Sequence, residues 1–502
     1  MLFNSYVFLF AFLPLTLAGF AVIARGGDHR LVLLWLAGCS LVFYGWWYPG
    51  YLALILASIA VNYAVGLRLG DSAERRRRWV LAAGIVFNVG LLGYFKYTNF
   101  IAENVGALLG TRAERFDIVL PLAISFFTFQ QISYLVDSYR SGAPQRSALR
   151  YLVYVAFFPQ LIAGPIVRHG VLGPQLAEPG RLAVRRRGLA IGLTIFAIGL
   201  FKKVLLADTL ATVADPVFAA ADAGTPADLL AAWAAVLAFA FQIYFDFSGY
   251  SDMAVGLAKM FNVNLPINFY SPYKATSIID FWRHWHITLS SFLRDYLYIP
   301  LGGNRRGRWR SHLNVLVTML IGGLWHGASW NFVIWGGLHG LYLVVNRGWR
   351  ALGPRMPGGL AWGLTFVAVV ASWAFFRAET YAGATSLLTS MAGLNGIAVP
   401  DGIVRRIDGL GAVLAAAGVG MPIVPVLDWL KAIALVALGL AVVTGLPNTA
   451  EIVPTYGGVL AAPPARPLAW RPSPGWATAI GAMLALAVAG VSAPTEFIYF
   501  QF

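Results

Sequence analysis

Long apolar runs broken by short polar stretches set the first limit on how this chain folds. Leu2–Ala24, Tyr51–Leu67, Trp79–Tyr97 and Ala227–Phe247 are mainly apolar, and each reaches the about 17–20 residues that an α-helix needs to cross a hydrocarbon layer. In that layer only helices and closed barrels satisfy their own backbone polar groups, and these runs lack the two-residue alternation of barrel strands. The predicted class is therefore all-α and polytopic, with about 11–13 membrane-embedded segments once shorter runs are included. Only 12% of the 502 residues are charged and 59% are hydrophobic, against about 25% charged in soluble domains.

The formal net charge of +15 would suggest nucleic acid in a soluble chain. Here the arginines sit in short loops, where the positive-inside rule accounts for them. Nucleic acid is excluded as a partner, and anionic lipid headgroups fit the same charge. Placing Arg25–Arg30 and Arg75–Arg78 in the cytoplasm puts the N-terminus outside. The first apolar run is longer than a signal-peptide core and has no basic residues before it, so it reads as a retained helix. The lone Cys39 allows no intramolecular disulfide and no cysteine-based metal site. No soluble domain interrupts the chain, which reads as one unit over 1–502. Its core runs to about 378, and the helices over 379–502 are less diagnostic.

Some stretches depart from simple spans. Tyr151–Ile166 is short, is interrupted by Pro159 and Gly164-Pro165, and has arginines on both flanks. That pattern predicts a re-entrant or surface-lying segment that lines a cavity. Gly188–Phe201 and the following Lys202-Lys203 begin another hydrophobic stretch, and Ala227–Phe247 ends in a stretch carrying Asp246 and Asp252, two carboxylates near a helix end. Asn99–Phe116 reads as an extracytoplasmic connection, Asp117–Val136 as a span, and Pro454–Pro474 as a proline-rich loop.

Asp280–Gly340 concentrates the polar chemistry and holds five of the seven histidines. Apolar residues at Ile278, Trp282, Trp285, Leu289, Phe292, Tyr296 and Ile299 recur in steps of three and four. They predict one continuous amphipathic helix on or dipping into the cytoplasmic face. Asp280 and His284 are spaced to pair. Arg305, Arg306 and Arg308 follow in a turn-rich loop. Two uses fit that loop: a plain topology signal, or contacts to the phosphates of an anionic donor. From His312 a helix climbs into the membrane and places His326 about 20 Å further on. Gly322, Gly323 and Gly327 beside it permit close approach.

Acyl transfer onto a hydroxyl needs a base for the hydroxyl proton and donors for the developing oxyanion. Imidazole suits the base. His326 is the candidate base and His286 its orienting partner, while a buried structural histidine is the plainer alternative. His312 and His339 receive no role. His284 and His286 do not share a helical face, so a metal is not assigned. No Gly-x-Ser-x-Gly elbow is present.

The motifs Asp280-Phe281-Trp282-Arg283-x-Trp285-His286, Arg294-Asp295-Tyr296 through Asn304, and Gly323-Leu324-Trp325-His326-Gly327 resemble the signature of membrane-bound O-acyltransferases. The similarity is strongest to the alginate O-acetyltransferase branch. It extends to Phe157–Ile166, Gly199–Lys203, Gln242–Asp252, Leu446–Thr449 and Phe497–Phe502. The resemblance implies a ring-like helical bundle around a tunnel, with the family's essential histidine at His326 and its companion at His286. It implies acetyl-coenzyme A as a cytoplasmic donor substrate and no permanently bound cofactor. The implied acceptor is an extracytoplasmic polysaccharide, reached through a periplasmic or membrane-anchored acetyltransferase. The implied location is the bacterial inner membrane. Transfer of an amino-acyl or other acyl group to a cell-wall polymer or lipid is one alternative. A non-catalytic transporter or scaffold is another.

Overall fold

The computed structural model describes residues 1–71, 73–111, 114–353, 356–421, 425–453, 468–491 and 497–498. Most of the Pro454–Pro474 loop and the closing Tyr499–Phe502 lie outside the described residues. The first helices are α1 (Phe8–Arg25), α2 (His29–Gly45), α3 (Tyr51–Asp71), α4 (Glu74–Leu109) and α5 (Ile124–Ser141). Three short ones follow: α6 (Ala148–Ala156), α7 (Phe158–Leu161) and α8 (His169–Ala177). The long α9 (Arg186–Asp222) and α10 (Leu229–Met260) lead into the short α11 (Ile278–His284) and α12 (Ile287–Leu293). The hairpin α13 (Arg308–His326) and α14 (Trp330–Leu352) comes next. Then come α15 (Gly358–Arg377), α16 (Tyr381–Met391), α17 (Val426–Gly445) and α18 (Pro474–Gly490). Seven of these, α1, α3, α4, α9, α10, α15 and α17, are long and apolar enough to cross a membrane, and α2 and α18 are shorter apolar helices. The protein is an all-helical, multi-pass membrane protein. Trp46, Trp47 and Tyr48 are exposed at the α2–α3 turn, the setting of an interfacial aromatic belt.

The pair α9 and α10 forms the centre. Gly192 and Gly199 on α9 face Gly256 and Gly249 on α10. A Cβ at Gly192 would lie 2.6 Å from the Gly256 carbonyl oxygen, and one at Gly249 would lie 2.7 Å from that of Gly199. With no side chain at four facing positions, the backbones touch, and dispersion replaces the hydrophobic drive that lipid does not supply. α10 outruns its expected end. Lys202 meets Asp252 at 2.7 Å, and Lys203 lies 2.7 Å from Asp246 and 2.8 Å from Asp208. The carboxylates expected near a helix end are neutralised by these lysines inside the bundle, so α10 continues to Met260, while α9 runs on through a π-helical turn at Lys202–Ala207 to Asp222. Asp246 and Asp252 thus lie within a helix rather than near its end.

Two further expectations change in the same way. The span expected to stop at Tyr97 runs on to Leu109 through a π-helical turn at Gly93–Tyr97. The span expected from Asp117 becomes helical only at Ile124. Tyr151–Ile166 is indeed broken, into α6, α7 and a buried non-helical stretch that ends against α12, where the Ile166 amide donates to Thr288 Oγ1 at 3.0 Å. The C-terminal α17 packs on α10, and α18 packs on α9.

Candidate active site

The continuous helix expected over Ile278–Ile299 is in fact two helices. Ser277 caps the first, its side chain accepting the Asp280 amide at 3.2 Å. After His284 the backbone turns extended at Trp285, and His286 adopts φ 42° and ψ 57° before α12 begins. The left-handed region is costly for a residue with a Cβ. Neighbouring backbone stabilises it here: the Tyr270 amide donates to the His284 carbonyl at 3.0 Å and the Ile287 amide to the Asn268 carbonyl at 2.9 Å. Such non-helical backbone inside a membrane bundle is tolerated where protein buries it. The predicted apolar stripe holds as far as Phe292: Ile278, Trp282, Trp285, Leu289 and Phe292 are buried, whereas Tyr296 is half-buried and Ile299 is exposed. The break, however, turns His286 from the edge of a surface helix into a fully buried group. Asp280 and His284 do approach, at 3.6 Å.

His326 is the last residue of α13, at the tip of the α13–α14 hairpin. The hairpin closes tightly because a Cβ at Gly323 would run into the Phe332 carbonyl oxygen, and one at Gly336 into that of Met319. The His286 and His326 rings lie with centroids 6.5 Å apart, too wide for a direct nitrogen–nitrogen hydrogen bond. Aromatic rings enclose them: Phe247 is 4.7 Å from His286, while Trp325, Trp335 and Phe376 lie 4.9, 5.1 and 5.2 Å from His326. Phe129 stacks on Trp325 from α5. His339 is buried close by with both ring nitrogens engaged. Trp282 Nε1 donates to its Nδ1 at 3.3 Å, and its Nε2 is 3.0 Å from Ser372 Oγ, which donates to the Val369 carbonyl. That chain fixes the tautomer with the proton on Nε2.

Two cavities open in this region, and one of them has a site histidine in its wall. One of about 90 Å³ reaches His326 and Trp325, with Lys96, Leu120, Ser125 and Ile162 in its wall. It lies at the start of α5, opposite the Arg140 end of that helix. Ile162 comes from the broken segment expected to line a cavity. The other, of about 230 Å³, is bounded by Trp282, Ser290, Arg294, Met319 and Arg347. Arg305 and Arg306 sit exposed in the turn before α13, while Arg308, expected in the same loop, is the exposed first residue of α13; all three lie outside the walls of both cavities. Below α12, Asp295 joins Arg168 at 2.5 Å and Arg294 at 2.6 Å. Burial alone would raise the Asp295 carboxyl pKa. The hydrogen bonds and charges of Arg294 and Arg168 outweigh it and hold the group below the usual carboxylate value.

The sequence reading passed over Lys96. Its ammonium donates to the carbonyls of Trp325 at 2.7 Å and His326 at 3.0 Å. The available signal was a single lysine within a helix long and apolar enough to cross a membrane, which marks a functional candidate by default. The aromatic enclosure by Phe247, Trp335 and Phe376 carries no local signal, because aromatics are common throughout this chain.

Comparison with known proteins gives this geometry a family. Residues 144–369 match the membrane-bound O-acyltransferase family, and that interval contains both histidines and the central glycine crossing. A peptidoglycan O-acetyltransferase of Helicobacter pylori is 44% identical over 431 residues, covering 80% of this chain and 81% of the relative. A probable alginate O-acetylase of Azotobacter vinelandii is 44% identical over 388 residues, covering 76% and 75%. A teichoic acid D-alanyltransferase of Streptococcus thermophilus is 27% identical over 237 residues, covering 45% of this chain and 57% of the relative. This similarity sets aside the non-catalytic transport reading: the chain belongs to the membrane-bound O-acyltransferase family, in its alginate O-acetylase-like branch, and is an O-acetyltransferase.

Proposed function

We propose that the protein moves an acetyl group from cytoplasmic acetyl-coenzyme A, across a bacterial inner membrane, toward hydroxyls of an extracytoplasmic polysaccharide, with a periplasmic or membrane-anchored acetyltransferase completing delivery. The observation that supports this most is the cavity that reaches His326, together with a second cavity bounded by Trp282, Arg294 and Arg347. The larger has Arg294 and Arg347 in its wall, on the side where the basic loops gather, and suits an anionic donor. The smaller reaches His326 at the opposite end of α5 and suits an acceptor hydroxyl. Arg305 and Arg306 in the turn that leads into α13, with Arg308 at its first position, extend the positive charge available to donor phosphates. Names of relatives that act on peptidoglycan and alginate favour a glycan acceptor.

In this reading the acceptor oxygen attacks the thioester carbonyl carbon while His326 takes its proton. The carbon–sulfur bond then breaks, and the same proton passes to the departing sulfur. His286 orients the acyl group from the neighbouring backbone turn, and the aromatic enclosure keeps bulk water from intercepting the thioester. A coenzyme A released from each turnover leaves the protein with no resident cofactor.

The test measures acetyl-coenzyme A thiol release and polysaccharide O-acetylation in membranes of the native host. His326→Ala is expected to lower both by at least ~10²-fold, the scale of losing a general base, at unchanged abundance. Retained activity in that variant would remove His326 from the reaction. The D-alanyl-transferring relative favours a second reading, amino-acyl transfer. Turnover of an aminoacyl donor in preference to acetyl-coenzyme A would support it.

A further inference from the structure

Lys96 sits in the π-helical turn Gly93–Tyr97 of α4, a geometry that recurs at functional sites. Three contacts surround its ammonium: the carbonyl oxygens of Trp325 and His326 at 2.7 and 3.0 Å, and Ser125 Oγ at 3.5 Å. Next to it, the Tyr97 hydroxyl donates to the Leu324 carbonyl at 2.7 Å. These three carbonyls belong to the last turn of α13, where helical partners run out. A cation suits that end of a helix dipole.

Capping alone does not require a charge. Tyr97 satisfies an adjacent carbonyl with a neutral hydroxyl, and a half-buried lysine within a membrane bundle is more costly than a tyrosine. What distinguishes Lys96 is where it lies: it forms the wall of the same 90 Å³ cavity as His326. We propose that Lys96 is a positioning residue for acyl transfer, fixing the backbone that carries His326 while presenting a positive charge to the acceptor-side cavity. The charge stabilises the anion that develops when the acceptor oxygen adds to the thioester carbonyl, and in a water-poor site such a preset charge acts strongly. The π-helical turn serves this arrangement by directing Lys96 and Tyr97, adjacent in sequence, at successive carbonyls of one helix end. The inference rests on the acetyl-transfer reading above and adds a requirement for charge on the acceptor side of His326.

The test separates charge from tethering. Lys96→Arg keeps charge and donors, Lys96→Gln keeps a donor without charge, and Tyr97→Phe removes only the neighbouring tether. Each is expressed as the full chain in native-host membranes. Maximal rate per protein and KM for acetyl-coenzyme A are read beside the thermal midpoint of the purified protein. Lys96→Gln is expected to lose at least ~10²-fold in maximal rate, the scale of one preorganised electrostatic group, with donor KM within about threefold. Lys96→Arg is expected to keep at least about a tenth of wild-type rate, and Tyr97→Phe to stay within a few-fold despite a lower midpoint. Lys96→Gln no slower than Tyr97→Phe would overturn the proposal, as would an inactive but folded Lys96→Arg. Wild type and His326→Ala, run in parallel, report on the acetyl-transfer reading separately. A His326-dependent wild-type rate upholds that reading whatever the Lys96 variants do.

Discussion

His286 and Asp295 show how single residues set the site from the backbone up. His286 reaches the interior because residues 285–286 leave the helix, and α12 beyond it must be held still for that turn to persist. Asp295 does the holding, through Arg168 at 2.5 Å and Arg294 at 2.6 Å, with the Tyr296 hydroxyl bonded to Asp137 at 2.8 Å alongside. The Asp295 carboxyl has a folded pKa below its ordinary value. Its contribution to stability is therefore fully present above the unfolded carboxylate value of about 3.9 and is lost as pH falls through the lower folded value. Thermal midpoints of wild type and Asp295→Asn in detergent check this. The gap between them is expected to be constant above about pH 5 and to shrink on acidification below about pH 3.5. A gap that ignores pH would show that the ion pairs contribute nothing.

At the scale of elements, the site depends on two glycine crossings. Gly192/Gly256 and Gly199/Gly249 join α9 to α10, and Gly323/Gly336 closes the hairpin that ends in His326. Any side chain at these positions meets backbone, which cannot swing aside as a side chain does. Gly249→Val is expected to destabilise the bundle by at least about 1–3 kcal/mol, the usual cost of overpacking, and to lower both the thermal midpoint and the yield of monodisperse protein. Gly363→Ala, at an α15 position where an added Cβ meets nothing within 4 Å, is the matched control and is expected to behave as wild type.

Across the whole molecule, a buried charge network ties the centre together. Lys203 is 2% exposed and contacts Asp246 and Asp208, and the Ile498 amide donates to Asp246 at 3.1 Å. Lys202, Asp252 and Thr449 form a second set, with Lys202 and Thr449 2.9 Å apart and Thr449 2.5 Å from Asp252. The C-terminal region thereby reaches the middle of α9 and α10. Lys203→Met leaves carboxylates buried without their cation, and about 3–5 kcal/mol of destabilisation is expected. Lys203→Met combined with Asp246→Leu is expected to recover a large part of it, because removing both partners also removes the desolvation cost. Thermal midpoints of the single and double variants decide the point. A double variant no better than the single would show that Asp246 matters through other contacts.

The helical, membrane-spanning class was legible in the residues alone, because bilayer thickness and backbone satisfaction leave a long apolar run little choice. The apolar stripe from Ile278 to Phe292 was legible for the same kind of reason: side-chain period follows from helix geometry. What the sequence could not determine is what its charges do at depth. Lys96, Lys202 and Lys203 look locally like ends of spans or flaws within them. Only folding brings carboxylates and helix-end carbonyls against them, and the helices then continue where local composition says stop. The break at Trp285-His286 is likewise invisible to periodicity, since it depends on hydrogen bonds from Tyr270 and to Asn268 that exist only in the assembled bundle. The residues name the two histidines, but the tertiary structure sets them 6.5 Å apart and brings a cavity to His326, because that spacing depends on contacts between segments far apart in the chain.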